Sequence, residues 1–204
     1  MITEKRLAKL QKVAAYRQNM TVILENVHDK HNIGAVMRSC DAIGIQDIYI
    51  LMTDPRVQRS KSDNLKPSST GVKKWLNEHY FEDTGQCFEQ VKANYDTILA
   101  THIDSDSKSL YDLDLTGKVA FLFGNEHEGI TQEALDYADG NFLIPQYGMV
   151  QSLNISVACA ITIFEAGRQR SVNGQYNDDT SKMPDSNVET LKHFEFKHVE
   201  SYRK

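Results

Sequence analysis

Residues 21–52 read TVILENVHDKHNIGAVMRSCDAIGIQDIYILM. TVILENV is a β-branched apolar run suited to a buried strand, and the polar loop HDKHN follows it. From there Ile33, Val36, Met37, Cys40 and Ile43 recur at helical spacing, and Gly44 is placed to end that helix. DIYILM (47–52) is a second strand. Strand, helix, strand in this order is the βαβ unit of a parallel sheet, so the chain reads as α/β.

Upstream, Leu7, Leu10, Val13 and Ala14 alternate with charged residues, so 4–18 is expected to form an amphipathic helix. Downstream, 53–70 is polar and basic and reads as an exposed loop, then VKKWL (72–76) as a short strand. A helix over 83–93 and strands at DTILATHI (96–103) and KVAFLFG (118–124) follow. The loop NEHEGI leads into a helix at TQEALDYA, where Thr131 suits the start, and NFLIP (141–145) is a last strand. ISVACAITIFEAGRQR (155–170) is apolar around nearly its whole circumference, which predicts a helix buried on most sides. Residues 171–187 read as a linker and 188–204 as a charged helix. The organisation expected is a basic helical extension (1–19), a core domain (20–172) and a C-terminal extension (173–204).

With 204 residues, 40% hydrophobic and 25% charged, the chain has an ordinary globular composition. It contains no apolar run near the roughly 18 residues that span a bilayer. The N-terminal MITEKRLAKLQKVAAYRQ lacks the uninterrupted apolar stretch of a secretory signal. Cys40, Cys87 and Cys159 are three widely spaced residues, suggesting neither a disulfide framework nor a zinc site and pointing to a reducing cytoplasm. The net charge of −5 hides an asymmetry: residues 1–74 hold 13 Lys or Arg against 7 Asp or Glu, whereas 75–204 hold 10 against 21. Phosphate binding depends on local basic surface, so the N-terminal half keeps a nucleic-acid partner open.

Three loops follow strands and precede helices: HDKHNIGAVMR (28–38), FGNEHEGIT (123–131) and IPQYGMVQSLN (144–154). Ligands in open α/β sheets collect at such carboxyl ends of strands. Neither GxGxxG nor GxxxxGK[ST] is present, and the histidines show no HExxH spacing. The residues by themselves therefore support a three-loop ligand site in either an enzyme or a nucleotide-binding module.

NVHDKHNIGAVMRSCDAIGIQDIYIL (26–51) resembles the first motif of the SPOUT superfamily of RNA methyltransferases. FLFGNEHEGIT (121–131) resembles the second motif and FLIPQYGMVQSLNISVACAITIFEA (142–166) the third, in matching order and spacing. The chain looks most like the TrmH branch, the tRNA guanosine 2′-O-methyltransferases, over about residues 5–172. It departs at Gly34 and Ser39, where that branch often has a serine and a threonine.

The resemblance implies a mostly parallel sheet flanked by helices, a deep C-terminal trefoil knot and a homodimer. It implies S-adenosylmethionine as methyl donor, no metal, and the ribose 2′-hydroxyl of a tRNA D-loop guanosine as target. Within the class the alternatives are the tRNA wobble nucleotide or ribosomal RNA, and outside it a non-catalytic RNA-binding relative. Arg38 matches the catalytic arginine; a guanidinium stays protonated, so stabilising a developing alkoxide suits it. Asn32, six residues earlier, suits the cap of the first-motif helix and so fixes Arg38 in space, and Glu126 matches the acidic residue of the second motif, placed to orient Asn32 or Arg38. Ser152 and Asn154 match the polar pair of the third motif and suit a turn and a helix cap. Thr101, Gly124, Ile144, Met149 and Leu153 lie where the family holds the adenosine. Candidate phosphate contacts are Lys5, Arg6, Lys9, Lys12 and Arg17 in the N-terminal extension, with Arg56, Arg59, Lys61, Lys66 and Lys73.

Overall fold

The computed structural model describes residues 2–55 and 71–200. Its seven strands are β1 (Met20–Glu25), β2 (Asp47–Leu51), β3 (Asn77–Phe81), β4 (Thr97–Thr101), β5 (Lys108–Ser109), β6 (Val119–Phe123) and β7 (Gly140–Leu143). They form one sheet in the order β3-β2-β1-β6-β4-β7-β5, and every pairing is parallel. The helices are α1 (Glu4–Ala15), α2 (Lys30–Ile43), α3 (Thr84–Lys92), α4 (Gln132–Leu135), α5 (Ile155–Val172) and α6 (Asp185–Glu200). Among the described residues no helix is long and apolar enough to cross a membrane.

Strand side chains alternate between faces, and here both faces are covered. Val22 and Leu24 of β1 join the core that includes Ile33, Met37 and Cys40 of α2 and Cys159 and Ile163 of α5. Ile23, between them, joins Phe88 of α3 and Ala134 of α4 on the other side. Gly44 ends α2 in the left-handed conformation, φ 89°, as its position in the sequence predicts.

Two expectations change. VKKWL is a 3₁₀ turn at Lys73–Trp75 instead of a strand, and the strand follows it as NEHYF. Trp75 leaves the sheet to pack edge-on against Phe194 at 5.4 Å, while β3 is an edge strand whose polar side chains hide the pattern of a buried one. Helix α5 buries one stripe, Ile155, Cys159, Thr162, Ile163, Ala166, Gly167 and Arg170, instead of most of its surface. Val157 and Phe164 on its other side are 45% and 48% exposed. The two-residue strand β5 is too short to carry a period. The loop reading for 53–70 falls largely outside the described residues.

The first and last helices meet. Leu10 and Ala14 of α1 pack with Phe194 of α6 around Trp75, and Asn187 Nδ2 donates to the Arg17 carbonyl at 3.1 Å. This lobe sits at the amino ends of the strands: Arg17 reaches the Ile45 carbonyl ahead of β2, and Gln18 N donates to the Gly44 carbonyl. Arg170 of α5 ties the same end together from inside, donating to the carbonyls of Leu115, Gly117 and Asn19.

Candidate active site

The three loops converge at the opposite, carboxyl end of the sheet. Strand β1 runs into Asn26, which takes a left-handed φ of 52°. Its side-chain oxygen accepts from the backbone of Thr53 and Asp54, so the turn after β1 is fastened to the turn after β2. Helix α2 then starts earlier than its apolar period suggests. Its cap is Asp29, whose Oδ1 accepts from His31 N at 2.8 Å, so the capping role expected of Asn32 belongs to Asp29. An aspartate three residues upstream takes the backbone donors and leaves the Asn32 amide free for other loops.

That amide links all three motifs. Asn32 Nδ2 donates to Glu126 Oε1 at 2.5 Å, and Asn32 Oδ1 accepts from Asn154 Nδ2 at 3.1 Å. Asn154 in turn caps α5, its Oδ1 accepting from Ser156 N at 2.9 Å. Glu126 is carried by a tight turn that Asn125 shapes: Asn125 Oδ1 accepts from His127 N at 2.7 Å, and Asn125 Nδ2 donates to the Asn26 carbonyl at 2.8 Å. Gly124 enters this turn so close to Gly129 that a β-carbon would overlap the Gly129 carbonyl. Asn26, Asp29 and Asn125 were not singled out in the sequence. Their signal was present only as generic turn chemistry in ENVHD and GNEHEG.

Beside this bridge opens a cavity of about 420 Å³, within the range of small-molecule sites. Thr101, Gly124, Ile144 and Leu153 line it, together with Glu126, Gln146 and Ser152. Apolar walls from Ile103, Ile144 and Leu153 face a polar rim, which suits a ligand that is part flat ring and part charged. Met149 does not line it; its side chain is 99% exposed on the loop before α5.

Arg38 is exposed on α2 and forms no hydrogen bond or ion pair with a described residue. It does not line the cavity. Six residues beyond Asn32, it stands roughly 9 Å further along the helix and turned by about 120°. The structure thus joins Asn32, Glu126 and Asn154, sets Ser152 in the cavity wall, and leaves Arg38 outside.

The candidate phosphate contacts divide. Lys5, Lys9 and Lys12 are exposed on α1, Lys12 within 3.5 Å of Asp178. Arg6 is half-buried over the Trp75 ring, and Lys73 pairs with Glu78 at 3.1 Å. Arg17 is not a surface contact: it is 5% exposed, paired with Asp41 at 2.8 Å and stacked 5.2 Å from the Phe194 ring. The lobe formed by α1 and α6 closes over it. Arg56, Arg59, Lys61 and Lys66 lie outside the described residues.

Comparison with known proteins bears on the same elements. The SpoU rRNA methylase family matches residues 19–164, from the first strand through most of α5. A protein of Thermus thermophilus named tRNA (guanosine(18)-2′-O)-methyltransferase is 39% identical over 176 residues, 86% of this chain and 88% of that protein. The crystal structure of the Aquifex aeolicus TrmH/SpoU tRNA modifying enzyme superposes with a TM-score of 0.81 at 31% identity, covering 98% of this chain and 99% of that one. An AdoMet-bound rRNA methyltransferase from Sinorhizobium meliloti superposes at 0.60 with 27% identity, covering 78% of this chain and 59% of that one. With three motif loops joined through Asn32 and this match across the sheet, the chain belongs to the SpoU methylase family.

Proposed function

We propose that this protein transfers the methyl group of S-adenosylmethionine to the ribose 2′-hydroxyl of a tRNA guanosine, guanosine 18 of the D-loop. The observation that carries this reading is the Glu126–Asn32–Asn154 bridge beside a cavity of about 420 Å³. Thr101, Gly124, Ile144 and Leu153 hold the donor in that cavity. Bound there, S-adenosylmethionine supplies an electrophilic methyl on a sulfonium, and its transfer leaves a neutral thioether.

The chain's own groups do the rest. Ile144 and Leu153 exclude water and offer apolar surface to a ring, while Ser152 and Glu126 supply polar contacts at its edge. Arg38 stabilises negative charge on the 2′-oxygen as that hydroxyl's proton passes to solvent water and its bond to the methyl carbon forms. Asn32, fixed from both sides, sets the start of α2 and with it the helix that carries Arg38. Exposed Val157 and Phe164 on α5 support a homodimer formed across that face. Lys5, Lys9 and Lys12, with Arg6, Lys73 and the basic residues at 56, 59, 61 and 66, guide the RNA, and the enzyme works in the cytoplasm.

The test is transfer of labelled methyl from S-adenosylmethionine to bulk tRNA by purified protein, with the product mapped by resistance to alkaline cleavage. Resistance at position 18 supports the full reading, and label at the wobble ribose moves the target within tRNA. Labelling of ribosomal RNA but not tRNA assigns a sibling activity. Binding of tRNA with no transfer to either RNA points to a non-catalytic relative.

A further inference from the structure

Glu25 is a fully buried carboxylate at the end of β1, and none of the roles above uses it. Its two oxygens accept both donors of one residue, Thr131 N at 3.0 Å and Thr131 Oγ1 at 2.6 Å. Thr131 Oγ1 also accepts from Ala134 N at 3.3 Å and so starts α4. Among the described residues no lysine, arginine or histidine pairs with Glu25. Burial pushes its carboxyl above the ordinary glutamate range, against the Thr131 bonds.

A buried carboxylate without a cation is an expensive way to stabilise a core, and a well-packed neutral side chain serves stability as well or better. What a neutral side chain does not supply is a fixed position for Thr131. The loop between β6 and α4 is held at both ends by two consecutive residues, Glu25 at the end of β1 and Asn26 just beyond it. At its entry Asn125 Nδ2 donates to the Asn26 carbonyl at 2.8 Å, and at its exit Thr131 is held by Glu25. Between these two anchors lie Glu126, which meets Asn32, and Gly129 and Ile130, which line the cavity.

On the methyl-transfer function proposed above, on which this rests, we propose that Glu25 is a positioning residue: its clamp on Thr131 fixes the 124–130 loop, and through it the cavity wall and the place where Glu126 receives Asn32. Glu25 touches neither substrate nor donor and acts only through Thr131.

The test compares Glu25→Ala, Thr131→Val and Thr131→Ser with the unaltered protein. It measures the affinity for S-adenosylhomocysteine by calorimetry, kcat and both KM values with tRNA, and the melting temperature. Glu25→Ala and Thr131→Val are expected to weaken S-adenosylhomocysteine binding about 10-fold and lower kcat by up to about 10²-fold in folded protein. Thr131→Ser restores the hydroxyl and with it both quantities. Thr131→Val keeps the backbone donor and removes only the hydroxyl, so it carries the test if Glu25→Ala does not fold. Variants that melt earlier yet keep the parent affinity and kinetics overturn the proposal, as does failure of serine to rescue. If the unaltered protein binds S-adenosylhomocysteine but methylates no tRNA, the functional reading fails, and the calorimetric comparison still decides the clamp.

Discussion

Asn32 donates to Glu126 at 2.5 Å across 94 residues of sequence, joining the start of α2 to the turn after β6. The same amide accepts from Asn154 at 3.1 Å, so one side chain of modest size sets the spacing of three loops. Alanine at position 32 removes both bonds; aspartate keeps an acceptor for Asn154 but presents a carboxylate to Glu126. Asn32→Asp is therefore expected to be the more damaging change, each lowering the single-turnover rate by roughly 10²-fold or more. Affinity for S-adenosylhomocysteine should fall less than the rate, because Asn32 is not in the cavity wall.

Arg38 lies outside the cavity that Thr101, Gly124, Ile144 and Leu153 line, and this separates its two possible effects. Arg38→Ala should abolish methyl transfer, a loss of about 10²–10³-fold or more for a charge-stabilising group, while calorimetry shows donor binding within about twofold of the parent. Arg38→Lys keeps the charge but not the planar fork and should recover only part of the rate. Equal loss of binding and rate would place the guanidinium in the donor pocket instead.

Much of this arrangement was legible in the sequence where period and punctuation agree. TVILE, KVAFLF and the Ile33–Ile43 pattern give β1, β6 and α2 because each is buried against a neighbour and its apolar spacing records that burial. The polar edge strand NEHYF and the two-residue β5 leave no such record. The motif residues Asn32, Glu126 and Asn154 were legible as a group through the resemblance, which offered Asn32 as one of two partners for Glu126, but the Asn154–Asn32 bond and the geometry of both were not. Those bonds depend on where Asp29 and Asn125 place the turns, and a hydrogen bond between loops has no period. Arg17 was misassigned for a related reason. Its charge is visible in the sequence, while the α6 lobe that covers it arrives some 170 residues later.

Gly124→Ala tests how tightly the second loop is built. A β-carbon there overlaps the Gly129 carbonyl and the Ile130 nitrogen, which are backbone atoms and cannot rotate away. The loop must shift as a whole, at a cost of about 1–3 kcal/mol of stability. Because Gly124, Gly129 and Ile130 all line the cavity, donor affinity should drop in the same variant, whereas Gly148→Ala, with open space around its α-carbon, should leave the melting temperature unchanged. Differential scanning calorimetry and donor titration read the two effects separately.

Glu25 also predicts a pH signature. Burial raises its carboxyl in the folded chain, so the folded state holds the proton more tightly than the unfolded state does. Its ionised form therefore costs stability above the folded value. That cost is relieved as pH falls through the folded value and is gone below the ordinary glutamate value of about 4.3. Glu25→Gln removes the titration. The melting temperature of Glu25→Gln relative to the parent should be higher at pH 8 than near pH 4, whatever constant offset the altered Thr131 bonds add. A difference independent of pH would mean that Glu25 does not titrate with folding.

Arg17 and Lys9 share a sign of charge and a neighbourhood, yet they should behave oppositely. Arg17 is buried, donating to Asp41 Oδ1 at 2.8 Å and to the Ile45 carbonyl at 2.9 Å beneath Phe194. Arg17→Met keeps the apolar stem but loses these bonds, so roughly 1–3 kcal/mol of stability should go with it. In a chain of this size that lowers the melting temperature by about 2–4 °C per kcal/mol. Lys9 is exposed on α1, and Lys9→Ala should leave the melting temperature alone. If Lys9 meets a phosphate, its loss weakens tRNA binding and reduces the slope of log affinity against log salt by about one. Arg17→Met should leave that slope intact at temperatures where the protein is folded, since a guanidinium sealed under α6 releases no counterion from RNA. A reduced slope in Arg17→Met would mean that the lobe opens when tRNA binds and that Arg17 belongs to the interface after all.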